Sequence, residues 1–184
     1  MLPLKPFYFI RHGETDWNKK NIIMGSIDIP LNAVGIEQAQ KAAAILVNEN
    51  FDSIVSSPRI RALKTAEIIA AAVGKTVILD AGFVEREWGE AEGKPHDPTK
   101  SLFSENDTPI GAEPFLAFQK RATSSIGQVL REYERPLIVS HGGVFKALAH
   151  HLGYPNIASS NCVPYVFSPP SQETYPWQIL ALEN

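Results

Sequence analysis

Two histidines and two arginines stand at or just beyond the ends of short apolar runs in this chain. Arg11 and His12 follow Phe7 to Ile10, Arg61 comes a few residues after Ser53 to Ser56, and His141 directly follows Leu137 to Ser140. An imidazole that is neutral near pH 7 offers a lone pair without prior deprotonation, so a histidine placed this way can act as a nucleophile. Planar guanidinium groups match phosphate oxygens in bidentate fashion. Gathered in one pocket of a chain whose formal net charge is -3, the four would make a local positive field, and the ligand expected there is a phosphate. Gly13, Gly142 and Gly143 let backbone approach such a ligand closely, and the amides of a helix starting after Gly143 would add anion-binding dipoles. Glu85, in Val84-Glu85-Arg86-Glu87-Trp88-Gly89, supplies a carboxyl group able to carry a proton, with Glu87 as its rival.

These residues can meet only if the elements behind them place them at one edge. Phe7 to Ile10 reads as a buried strand. Asn32 caps a helix whose apolar positions Ile36, Ala39, Ala43, Leu46 and Val47 form one stripe, ending near Asn50. Ser53 to Ser56 reads as a second strand. Ser57 then serves as N-cap and Pro58 as first helical residue, so that Arg61 lies in a first helical turn. Ala62, Leu63, Ala66, Ile69, Ala70 and Val73 give this helix its core face, and Gly74 ends it. A third strand spans Thr76 to Leu79. From Ala81 to Pro114 an irregular excursion is expected, with a short helical turn inside it. A helix from about Phe115 to Tyr133, the strand Leu137 to Ser140, a helix from Val144 to Leu152, and strands at Val163 to Phe167 and Trp177 to Leu182 complete the chain. Strands alternating with helices predict an α/β fold: a three-layer αβα sandwich around a mainly parallel sheet, forming a single domain over residues 1–184. Ligands of such sheets bind beyond the carboxyl ends of the strands, where Arg11, His12, Arg61, Glu85 and His141 fall.

Composition narrows the classes of partner. Of the 184 residues, 44% are hydrophobic and 20% charged, enough for one substantial core and without the basic excess that nucleic acid binding requires. No apolar stretch approaches the roughly 18 residues of a membrane span. The single cysteine, Cys162, cannot close an internal disulfide, and the N-terminus carries no secretory signal, which points to the cytoplasm.

Arg11-His12-Gly13-Glu14-Thr15 with Trp17-Asn18, then Ser56-Ser57-Pro58 with Arg61-Ala62 and Thr65-Ala66, then Ser140-His141-Gly142-Gly143 resemble, in order and separation, the motifs of the histidine phosphatase superfamily, also called phosphoglycerate mutase-like. The likeness runs from about Phe7 to His151. It implies that His12 is transiently phosphorylated, that Arg11, Arg61 and His141 surround the phosphoryl oxygens, and that Glu85 is general acid and then general base. No metal or other cofactor is then required. Glu14, within the first motif, reads as orienting its neighbours. The resemblance also places Asn18 and Gly25, with Gly142, among the substrate contacts. The position before Gly25 is often polar in the family but is Met24 here, which suggests a more apolar leaving-group pocket.

Within the family, phosphoryl transfer to water makes a phosphatase and transfer to a second hydroxyl makes a mutase. The cofactor-dependent phosphoglycerate mutases carry Arg-His-Tyr-Gly after their acidic residue and a longer insertion. This chain has Arg86-Glu87-Trp88-Gly89 and a short excursion, which favours a phosphatase acting on a small phosphorylated metabolite, with a 2,3-bisphosphoglycerate-dependent mutase as runner-up. A non-catalytic phosphate-binding protein is the contrasting class, and the joint presence of nucleophile and acid argues against it. Arg59 and Lys64 read as solvated charges, and Glu87, Glu90 and Glu92 as an acidic cluster that could simply face solvent. His96, His150, His151 and Cys162 read as structural or surface residues. A homodimer is implied by the resemblance alone. The tail residues Tyr165, Phe167, Tyr175 and Trp177 could serve a core or an interface.

Overall fold

The structure is a computed structural model, and it describes residues 2–97, 108–171 and 176–182. The strands are β1 (Phe7–Arg11), β2 (Ile54–Ser56), β3 (Val77–Leu79), β4 (Leu137–Ser140), β5 (Pro164–Ser168) and β6 (Gln178–Ala181). The helices are α1 (Asp16–Lys19), α2 (Ala33–Leu46), α3 (Ile60–Val73), α4 (Phe115–Glu132) and α5 (Gly142–His151). One six-stranded sheet runs in the order β3-β2-β4-β1-β5-β6. The first four strands in that order are mutually parallel, and β5 and β6 extend the β1 edge antiparallel.

Side chains alternate across β1, so its uninterrupted apolar sequence feeds both faces of the sheet. Phe7 and Phe9 enter a core built with α4 and α5, where Phe7 stacks on Phe167 at 4.7 Å between ring centroids. Tyr8 and Ile10 enter a second core built with α2 and α3. Two helices on each face give the three expected layers. Trp177 and Phe167 belong to the first core, which settles their part of the tail; Tyr175 lies outside the described residues. Among the described residues no helix is long and apolar enough to cross a membrane.

Several local readings need correction. Ile36 and Val47 are exposed, and the buried stripe of α2 is instead Gly35, Ala39, Ala42, Ala43 and Leu46. Small residues face inward there because α2 packs closely against α3. Ser57 is not the N-cap of α3. The helix starts two residues later than expected, and the carboxylate of Asp28, from a distant loop, accepts the Ile60 N–H at 2.9 Å. Val73 and Leu63 are only half-buried, whereas Gly74 ends the helix at φ +67° as the sequence suggested. The short helix α1 lies in a stretch too brief for apolar periodicity to mark. Its capping box, in which Thr15 and Asn18 bond each other's backbone, uses Asn in place of the usual acidic or Gln partner. The excursion holds two 3-10 turns, Ala81–Phe83 and Gly89–Ala91, with residues 98–107 outside the described set.

Candidate active site

The strand order brings the two histidines together. β1 and β4 are parallel neighbours with Arg11 opposite Ser140, and the His12 N–H bonds the Ser140 carbonyl at 2.9 Å. His12 and His141 therefore leave adjacent strands at the same level, with ring centroids 5.3 Å apart. His12, Arg11, Arg61, Glu85, Asn18, Gly25 and Gly142 line a cleft of about 420 Å³ at the carboxyl end of the sheet, whereas His141, fully buried, stands beside His12 and does not form part of the lining. Every residue assigned to the site from sequence except His141 thus lines one cleft, and His141 adjoins it through its contact with His12.

His12 is 2% exposed, and its Nδ1 lies 2.8 Å from the Gly13 carbonyl oxygen. A carbonyl only accepts, so Nδ1 carries the proton and Nε2 keeps its lone pair. The Asn161 side-chain amide donates to the His12 carbonyl at 2.7 Å, and Gly13 N–H donates to Thr65 Oγ1, so the turn after β1 is held from two sides. Burial, then the charges of Arg61 and Arg11, pushes the His12 imidazolium pKa well below its ordinary value. The ring is neutral at physiological pH.

Arg61 is fully buried. Its Nη1 and Nη2 donate to the carbonyls of Ile27 and Gly25, both at 3.0 Å, and Asp28 lies 3.7 Å from Nη1. Burial lowers its pKa to about 10, which still leaves it charged. Arg11 donates through Nη1 to the Ser159 carbonyl at 3.1 Å. What remains unsatisfied is informative: among the described residues Arg11 Nε, Arg61 Nε and His141 Nδ1 are buried without a hydrogen-bond partner, and so are Ser159 Oγ and Arg59 Nε. Buried polar groups are ordinarily paired, and the unpaired ones on Arg11, Arg61 and Ser159, which line the cleft, suit an anion brought from outside.

The Glu85 carboxylate accepts the Gly143 N–H through Oε2 at 2.9 Å and the Arg86 N–H through Oε1 at 2.8 Å. Its rival Glu87 is exposed and does not line the cleft. Gly143 is required for this arrangement, because a Cβ there would lie 2.0 Å from Glu85 Oε1. Asn18 spends its Oδ1 on the Thr15 N–H, so the Nδ2 amine is the end able to reach a ligand. Glu14 accepts from the Asn32 side chain at 2.9 Å, an orienting contact away from the cleft. Met24 is 9% exposed on the cleft wall beside Ile22, Ile23 and Trp88, and the Thr15 hydroxyl sits 3.3 Å from its sulfur. The apolar wall inferred from Met24 is therefore present.

Other residues enter that sequence reasoning had set aside. His96 lines the cleft, as does Lys146, one turn along α5 from Gly142. Arg59 is half-buried, and its charge bears on His141 and Arg61 rather than being simply solvated; Lys64 is solvated and pairs with Glu67. Glu92 does not merely face solvent, because it accepts from Ser26 N and Oγ and from the Trp88 N–H, clamping two loops together. Arg86, fully buried, donates to the Glu113 carbonyl and stacks on Trp88 at 4.5 Å. Nothing in periodicity marks such loop-to-loop contacts. Cys162 is buried, which pushes its thiol up to about 12 and away from reactivity. His150 and His151 are exposed on α5, and His150 bonds Gln119. Among the described residues no group of three or more His, Cys, Asp or Glu side chains is placed to hold a metal ion.

Comparison with known proteins agrees with this geometry. The family model described as histidine phosphatase superfamily (branch 1) matches residues 7–162. The chain is 35% identical over 158 residues to the uncharacterized phosphatase PhoE of Bacillus subtilis (strain 168), covering 84% of this chain and 81% of that one. It is also 35% identical over 154 residues to phosphoglycerate mutase-like protein 4 of Arabidopsis thaliana, covering 76% and 67%. A solved mycobacterial glucosyl-3-phosphoglycerate phosphatase in complex with VO3 superposes with a TM-score of 0.83 at 25% identity, covering 95% of this chain and 97% of that one. From Phe7 to Cys162, in motif order and in the pairing of its two histidines at one sheet edge, this chain belongs to the histidine phosphatase superfamily.

Proposed function

We propose that this protein is a phosphomonoesterase that works through a phosphohistidine on His12. The observation that carries the reading is the fixed tautomer of His12: a neutral imidazole, proton held on Nδ1 by the Gly13 carbonyl, with the Nε2 lone pair available in a cleft edged by unpaired arginine nitrogens. Nε2 attacks phosphorus as the ester oxygen departs, and the phosphoryl group is carried on the ring. Arg11, Arg61 and His141 hold the phosphoryl oxygens and offset charge in the loose transition state. Glu85, beside the amide end of α5, gives a proton to the leaving oxygen and then takes one from the water that attacks the phosphohistidine. Catalysis in this scheme comes from positioning and fixed charge, and the chain's own cations supply that charge.

Ile22, Ile23, Met24 and Trp88 on the cleft wall support a small, partly apolar leaving group, and Lys146 supports one that also carries an anionic substituent. A single compact domain over residues 1–184 is part of this proposal. The short excursion after Glu85 supports hydrolysis over mutase chemistry, since a mutase must shield its phosphohistidine from water between two transfers. The test is a phosphomonoester screen run in parallel on wild type and His12→Ala, with 3-phosphoglycerate and its bisphosphate primer included. Release of phosphate by wild type, its loss in His12→Ala, and trapping of label on His12 are expected. Efficient primer-stimulated isomerisation would make the mutase the better reading, and equal negligible turnover by both proteins would leave only phosphate binding.

A further inference from the structure

The two histidines of the cleft are oriented by different devices. His12 is fixed by a backbone carbonyl, whereas the side-chain partner of His141 among the described residues is a hydroxyl: His141 Nε2 lies 2.8 Å from Ser57 Oγ. A hydroxyl can donate or accept, so the contact alone leaves the tautomer open. The rest of the Ser57 environment closes it. Ser57 Oγ also lies 3.3 Å from the Arg59 N–H, which can only donate. Ser57 is fully buried, and His141 Nε2 is the one acceptor within reach of its hydroxyl among the described residues. The O–H must therefore point at Nε2. The His141 proton then resides on Nδ1, the buried ring nitrogen without a hydrogen-bond partner among the described residues.

We infer that Ser57 is a positioning residue whose hydroxyl locks His141 in the Nδ1–H tautomer, so that a neutral His141 presents a hydrogen-bond donor, rather than a lone pair, to a phosphoryl oxygen. The backbone makes this reliable. β2 and β4 are parallel neighbours with Ser56 opposite Val139, and the Ser57 N–H bonds the Val139 carbonyl at 3.0 Å, so Ser57 is anchored to the strand that delivers His141. The opposite tautomer would leave the Ser57 proton unsatisfied in the interior and turn a lone pair toward the bound anion, two penalties that the observed arrangement avoids. His141 is neutral to begin with, because burial and the neighbouring arginines lower its pKa well below the ordinary value. A neutral ring donates from one nitrogen only, which is why its tautomer matters.

The inference rests on the proposed phosphoryl chemistry only for its consequence, not for its first test. In protein labelled with 15N-histidine, two-bond proton–nitrogen correlation at pH 7.5, assigned with His141→Gln, should find the His141 proton on Nδ1 in wild type. Ser57→Ala should shift it to Nε2 or to a mixture, and Ser57→Thr, which keeps the hydroxyl, should restore Nδ1. Competitive inhibition by inorganic phosphate should weaken about tenfold in Ser57→Ala, the scale of one lost oriented hydrogen bond, while thermal stability of Ser57→Thr reports any packing cost separately. A wild-type His141 protonated on Nε2, or an unchanged tautomer in Ser57→Ala, overturns the role given to Ser57. The outcomes are separable: Nδ1–H with no turnover on any ester would defeat the phosphatase reading alone, and Nε2–H with His12-dependent turnover would defeat the tautomer lock alone.

Discussion

Gly143→Ala separates activity from stability more sharply than substitution of any charged residue. Gly143 is the second residue of α5, in ordinary helical territory, where alanine is favoured over glycine by about 1 kcal/mol. Helix propensity alone would welcome the change. The added Cβ, however, would lie 2.0 Å from Glu85 Oε1, 2.8 Å from its Cδ and 3.1 Å from Oε2, so the carboxylate must swing away. Because those atoms are the end of a flexible side chain, the move costs little in packing. It removes the 2.9 Å bond to the Gly143 N–H, worth about 1.5–3 kcal/mol for a charged acceptor, and takes the proton donor from the leaving oxygen. General acid catalysis contributes about a hundredfold to ten-thousandfold, so kcat on an alkyl phosphate should fall at least about a hundredfold. An aryl ester whose leaving group departs without a proton should be far less affected, and stability should fall only by the difference between the lost bond and the helix propensity gained, about 0.5–2 kcal/mol. The assay is steady-state release of phosphate from an alkyl and an activated aryl phosphate, alongside thermal unfolding. Undiminished turnover of the alkyl ester would refute the assignment of Glu85 as the acid.

Arg61→Ala should lower turnover by at least about a thousandfold, as loss of a charge-stabilising arginine does; Arg61→Lys should not rescue it, because one ammonium cannot reach both the Gly25 and Ile27 carbonyls and also face the anion. Near-normal kcat in either variant would remove Arg61 from the site. Gly25→Ala should destabilise by at least about 1–2 kcal/mol in urea denaturation, since φ is +52° and a Cβ would sit 2.1 Å from Glu92 Oε1; a neutral effect would show that the Glu92 clamp is unimportant. Stability should also fall on mild acidification. The folded pKa values of His12 and His141 are depressed, so below the unfolded value near 6.5 the unfolded chain binds protons that the folded one refuses, and stability present above pH 6.5 is lost as pH falls. Between pH 7.5 and 5.5 each buried histidine accounts for at most about 1.4 kcal/mol, and His12→Gln should remove one share of that slope; an identical slope in the variant would contradict a neutral, buried His12.

What was legible in the chain beforehand was local. The apolar runs of β1 and β4 are long enough to announce buried strands, and a strand followed at once by Arg-His-Gly or His-Gly-Gly marks a functional turn. The types and order of the site residues therefore needed no coordinates. Residues whose role depends on a remote partner were misread or passed over. Ser57 looked like a helix cap because Ser-Pro before an apolar helix is a common cap, yet Asp28 performs that task and Ser57 faces His141. Glu92 looked solvated because a charge in a loop usually is, and only the packing of its loop against Ser26 gives it partners; Arg59 looked like a solvated helix charge, yet it is half-buried and its charge acts on His141.

The sequence by itself determined which groups are available: imidazoles with near-neutral intrinsic pKa, guanidinium forks, one well-placed carboxyl group and glycines that admit backbone. Tertiary structure alone decided that β4 inserts between β1 and β2, and from that single choice follow the 5.3 Å approach of the two rings and the Ser57 contact. It also decided which nitrogen of each ring carries the proton and how far burial shifts its pKa. Strand order is set by how both apolar faces of the sheet are covered at once, a property of the whole chain that no local window contains.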